Sequence, residues 1–198
     1  MSLKTPTNPL DDPTADPFAI AAAAAAEIAE RTGVERHDIA LTLGSGWAKA
    51  ADLIGETTAT IPAFEITGLS KPALEGHVGT LRSVLLPSGK RALVIGARTH
   101  YYEQHGVRRV VHSVRTAAAT GATTMILTNG AGGIRETWKP GTPVLISDHI
   151  NLTADSPLEG AISSFSIEMF PSNGTVTGFV FLPNGRPAPN ATVYVDQR

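Results

Sequence analysis

Residues 90–106 read KRALVIGARTHYYEQHG. Ala92 to Ile95 is an unbroken apolar run of strand length, and it stops at Gly96. A run without polar alternation is buried on both faces, as strands are inside a sheet covered by helices. Directly behind it stand Arg98, His100, Tyr102 and Glu103. A guanidinium can fork onto the oxygens of an oxyanion and an imidazole can add a directional hydrogen bond. Tyr102 can stack on or bond a sugar, and Glu103 can orient a neighbour. The bland alternative is a polar surface loop, with His105 as its bystander. A position just past a buried strand favours the functional reading.

Working outward, the same pattern recurs. DIALTLG (38–44), TATIPAFEI, GTLRSVLL and ATTMILTNG read as strands, and WAKAADLIG reads as helix. Between the strands at 90–96 and 122–130 lies VRRVVHSVRTAAATG, with Val107, Val110, Val111 and Val114 on one helical face and Gly121 as its stop. TPVLISDHINLT (142–153) reads as a further strand. Apolar runs joined by a crossover helix predict an α/β domain with a mostly parallel, mixed sheet flanked by helices. Near the N-terminus, FAIAAAAAAEIAE predicts a soluble helix N-capped by Asp16, begun by Pro17 and ended by Gly33. Its apolar run ends at Glu27, too short to span a bilayer, and the acidic, proline-rich segment before it is unlike a signal peptide. Residues 1–15 read as a flexible arm that packs weakly, if at all.

The chain has 198 residues, a net charge of −2 and no cysteine. That length suits one ordinary domain, or one domain with a small appendage. The charge argues against binding nucleic acid or anionic membrane by bulk electrostatics, and disulfides and zinc thiolates are excluded. A cytoplasmic location is expected.

Other segments carry candidate chemistry. In LTLGSGWAKA (41–50) a strand runs through Gly44-Ser45-Gly46 into a helix, aiming N–H groups and a hydroxyl at one spot. That suits a phosphate, and equally a tight turn without a ligand; Lys49 spoils a dinucleotide fingerprint. LTNGAGGI (127–134) again ends a buried strand in a glycine-rich turn. In open α/β sheets ligands lie beyond the carboxyl ends of strands, so these ends could converge on one anion. EGHVGTL places His77 between glycines, where a lone histidine is more often structural. Asp148, His149 and Asn151 in SDHINLT make only a weak metal set, so no metal is expected.

Together LTLGSGW, GHVGTL, GARTHYYEQHG, LTNGAGGI and SDHINLT resemble, in order and spacing, the trimeric purine nucleoside phosphorylases. The resemblance covers residues 16–161 and implies phosphorolysis of purine (deoxy)ribonucleosides to free base and pentose 1-phosphate. It implies Ser45, Arg98, His100 and the Gly130 backbone as phosphate ligands and His77 near the phosphate, with His77 and His100 in the catalytic set. Tyr102 would pack on the ribose, with Asn129 and Ala131 lining the pocket. Inorganic phosphate would be the co-substrate, with no cofactor and no membrane or nucleic-acid partner. A homotrimer follows from the family, and the alanine-rich helix suggests a bacterial source.

The resemblance stops after Ala161. The family's purine-binding glutamate and asparagine have no counterpart there, since Glu168 stands in the unrelated context SIEMF. Residues 162–198 lose the helical period; TVTGFVFL and ATVYV are strand-like around Asn184–Gly185, a hairpin signal. This tail resembles part of a carboxypeptidase-regulatory-like β-sandwich module through PNGRPAPNATVYV. The expected organisation is therefore an arm (1–15), the N-terminal part of a phosphorylase domain (16–161) and a β-rich segment of different origin (162–198). The alternative to an active phosphorylase is an inactive fusion that keeps only a phosphate-binding half-site.

Overall fold

The computed structural model describes residues 8–43, 47–70, 79–96 and 98–146. They divide into two compact units, one ending at Gly132 and the other starting at Gly133. In the first, helix α1 spans Pro17–Thr32 as its end signals require: Asp16 Oδ1 accepts from the Phe18 N–H at 2.8 Å, and Gly33 takes the left-handed conformation at φ 68°.

The five strands are β1 (Ile39–Thr42), β2 (Glu56–Pro62), β3 (Thr80–Leu85), β4 (Arg91–Ile95) and β5 (Thr124–Leu127). They form one sheet in the order β2-β3-β4-β1-β5. β1 pairs in parallel with both β4 and β5, while β2-β3 and β3-β4 are antiparallel. The sheet is mixed, with less parallel pairing than the apolar runs suggest. Only the turn Leu86–Lys90 joins β3 to β4, with Gly89 at φ 80°, and so short a link cannot return a strand in parallel.

Alternation along β4 loads both faces of this sheet. Leu93 and Ile95 join α1 (Ala24, Ile28), Ile61, Ile66, Leu81 and Ala117 in one core cluster. Ala92 and Val94 join Leu43, Ala51 and Val84 in the other.

The crossover from β4 to β5 is a broken helix, α2 (Val107–Val110) and α3 (His112–Ala119). Its buried residues are His112, Thr116 and Ala117, whereas the valines are half-buried or, at Val114, exposed. His112 is tolerated inside because its Nε2 bonds the Thr67 carbonyl oxygen at 2.9 Å. Gly68 is required beside it: at φ 81°, a Cβ there would lie 2.4 Å from that same Nε2. Burial, the larger influence, and Arg115 push the pKa of His112 down against the pull of the Thr67 carbonyl.

Further readings are corrected. WAKAADLIG holds a 3-10 turn over Ala48–Asp52 rather than a helix, and residues 63–65 end the second strand reading in another. Residues 8–15 are not a loose arm: Leu10 is 3% exposed within a 3-10 turn, Pro9–Asp11. Residues 142–146, read as the start of a strand, are not one; Val144, Leu145 and Ile146 are exposed without ladder partners among the described residues. The rest of that stretch and the whole tail 162–198 lie outside the described residues.

Candidate active site

Because β4, β1 and β5 run parallel, their carboxyl ends open on the same edge of the sheet. They are stitched together there. The Leu43 N–H donates to the Ile95 carbonyl at 3.1 Å, and Thr128 donates to the Thr42 carbonyl through its N–H (3.1 Å) and its hydroxyl (2.8 Å). Arg98 closes the set, donating from Nη1 to the Thr128 carbonyl at 3.0 Å. This brings the loop after β4 onto the loop after β5, as the sequence pattern anticipates for a ligand beyond the strand ends. The Arg98 Nε is buried and has no hydrogen-bond partner among the described residues. A guanidinium carries several N–H donors, and those not used on Thr128 can fork onto an oxyanion.

His100 is held by Glu103. The Glu103 Oε1 accepts from the His100 backbone N–H at 2.8 Å and lies 2.9 Å from its Nδ1. Burial raises the Glu103 pKa, but these bonds from His100 and the nearby His100 and His105 rings outweigh it and leave the pKa lowered. Glu103 is then an ionised acceptor, so Nδ1 carries the proton it donates and Nε2 is left for a ligand. The Tyr102 ring stacks on His100 at 4.8 Å between centroids and 16° between planes, while itself 74% exposed. His105 stands 3.9 Å from the second Glu103 oxygen.

Asn129, Gly130 and Ala131 follow Thr128 and are exposed. Ser45, expected as a phosphate ligand, His77, expected near the phosphate, and the set Asp148, His149 and Asn151 lie outside the described residues. Among the described residues no cluster of His, Asp and Glu could hold a metal, and no helix is long and apolar enough to cross a membrane.

Two features were not foreseen. One is the Thr128 carbonyl as the seat of Arg98, a main-chain contact that no side-chain pattern encodes. The other is a small cleft at Arg98 lined by Leu69, Ser70, Thr99, Arg109 and Ser113. Doubled arginines at 108–109 were its only trace in the sequence.

This arrangement of strand ends meets its match in known proteins. The model of the phosphorylase superfamily matches residues 38–193, and the chain belongs to that superfamily. Among its relatives, it is 61% identical over 158 residues to a purine nucleoside phosphorylase of a Cellulomonas species, an alignment covering 78% of this chain and 56% of that protein. It is 50% identical over 149 residues to the purine nucleoside phosphorylase of Mycobacterium tuberculosis, covering 75% and 55%. A crystal structure of a purine nucleoside phosphorylase in complex with ribose-1-phosphate superimposes with a TM-score of 0.55 at 28% identity, over 62% of this chain and 44% of that one. The chain spans about half the length of the curated relatives it matches.

Proposed function

We propose that this chain supplies the phosphate-holding part of a site for purine nucleoside phosphorolysis. The observation that carries the reading is Arg98, seated on the Thr128 carbonyl between the ends of β4 and β5, beside a His100 locked by Glu103. The ribose-1-phosphate bound by a structural neighbour is the product class such a site would form. In the proposed reaction the bond from ribose C1′ to the purine nitrogen breaks, its electron pair leaving with the base, which takes a proton that balances the one the hydrogen phosphate dianion gives up on bonding the sugar. A phosphate oxygen then bonds C1′ from the opposite face. The phosphate dianion, gripped by Arg98 and His100 with Ser45 and the Gly130 N–H, stabilises the positive charge that develops on the sugar.

Within this proposal His77 lies near the phosphate, Tyr102 packs on the ribose, and Asn129 and Ala131 line the pocket. Inorganic phosphate is the co-substrate and no cofactor is needed. The working form is a bacterial, cytoplasmic homotrimer. The tail's likeness to a carboxypeptidase-regulatory-like module belongs to the same proposal and rests on PNGRPAPNATVYV alone.

The test is calorimetric titration with inorganic phosphate together with a hypoxanthine-release assay on inosine. Phosphate should bind, and Arg98→Ala should weaken it about a hundredfold, the worth of a charge-assisted bond pair. Binding without hypoxanthine release selects the inactive half-site. Binding that ignores Arg98→Ala removes the reading altogether.

A further inference from the structure

Arg98 has one anchoring hydrogen bond among the described residues, from Nη1 to the Thr128 carbonyl, while its Nε is buried without a partner. The residues that line its cleft also bear on where so long a side chain lies. They include Leu69 and Ser70 and, on the broken helix, Arg109 and Ser113. Both pairs are tied to the same short segment.

At the first pair, Asn8 Nδ2 donates to the Gly68 carbonyl at 2.9 Å, just ahead of Leu69 and Ser70. At the second, Arg109 donates from Nε to Asp11 Oδ1 at 2.7 Å and from Nη2 to Asp11 Oδ2, a two-pronged pair. Neighbouring Arg108 donates to the Asp12 carbonyl at 2.5 Å and to the Ala15 carbonyl. Leu10, 3% exposed, anchors the segment between these contacts. Asp11 also neutralises the second guanidinium of the cleft, which would otherwise repel Arg98.

We propose that residues 8–15 are a clamp that positions Arg98 for phosphate, acting on its cleft beside Leu69 and Ser70 through Asn8 and at Arg109 through Asp11. The proposal rests on Arg98 being a phosphate ligand. It makes Asn8, Asp11 and Arg109 positioning residues, none of which needs to touch the anion.

Simple electrostatics makes the opposite prediction. Removing the Asp11 charge leaves the cleft more positive, and phosphate should then bind more tightly. The clamp predicts weaker binding, about tenfold for Asp11→Asn, a coupling typical of neighbours in one network. Asn8→Ala, which changes no charge, should weaken binding in the same direction.

Calorimetry with inorganic phosphate reads this directly on the full chain. A second measurement does not need phosphate: the Nε–H resonance of Arg98, assigned by its loss in Arg98→Lys. It should exchange slowly in the parent protein and broaden in both clamp variants. Tighter phosphate binding in Asp11→Asn, or a resonance unchanged in both variants, overturns the clamp. If the parent protein takes no phosphate, the reading of the site fails, while the resonance still decides the clamp.

Discussion

β4 and β5 are both parallel neighbours of β1, yet they live in different environments. Ala92 to Ile95 on β4 are buried, their side chains divided between the two core clusters. On β5, the edge strand among the described residues, Ile126 is 46% and Leu127 59% exposed, and only Met125 packs on a core cluster. The loops behind them differ in the same sense. After β4, His100 and Arg98 are each held by named bonds; after β5, Asn129 to Ala131 are exposed. The difference teaches where a charged site can be built. Fixing a guanidinium and an imidazole in place needs a base that does not yield, and β4 provides it.

The largest effect expected from this contrast is Leu93→Ala. Leu93 is fully buried in the cluster that joins the sheet to α1. Its truncation should cost about 4 kcal/mol, as transfer and cavity costs add in a core that cannot collapse. Urea unfolding with an unchanged slope checks it, and a loss below about 1 kcal/mol would remove the firm half of the comparison.

Acid should attack the same half next. His37, fully buried, has its Nε2 3.0 Å from Ser83 Oγ on β3. Burial, and then the charge of Arg91, lower its pKa to about 4 against the opposing pull of Asp38. In the unfolded chain the histidine titrates near its ordinary 6.5. Between these values the unfolded state holds the extra proton, so stability falls as pH drops from 6.5 towards 4. The loss saturates at about 3 kcal/mol, and His112, lowered for the same reason, acts in the same direction. Melting temperatures across that window should fall, and His37→Gln should flatten the fall. An equally steep profile in that variant would clear His37 of the effect.

What the sequence made legible was local. Asp16, Pro17 and Gly33 delimit α1 because a cap bonds its own first or last turn. Arg98 and His100 could be set just behind β4 because a strand end fixes the position of the residues that follow it. What it hid depended on distant partners. A buried run looks alike in parallel and antiparallel pairing, so the β2-β3-β4 meander was not foreseen. The valines of 107–114 fit a helical face, but His112 and Thr116 took the core once Thr67 and Gly68 could receive them. Asp11 and Arg109 pair across 98 positions, beyond any local pattern, so residues 8–15 read as an arm.

The smallest expected effect is the most searching. Leu127→Ala on β5 should cost no more than about 0.5 kcal/mol, because an exposed side chain loses little burial when shortened. Set beside Leu93→Ala, it measures the contrast between two strands of one sheet by the same chemical change, leucine to alanine, under the same urea conditions. A cost approaching that of Leu93→Ala would mean that β5 is covered in solution. Its rim, with Asn129, Gly130 and Ala131, would then stand on as firm a base as Arg98, and the division between a supported anion half and an exposed half would fail. A near-neutral result keeps that division. It also leaves Leu127 as a position to replace with a charged residue when an apolar edge has to be kept from pairing with another chain.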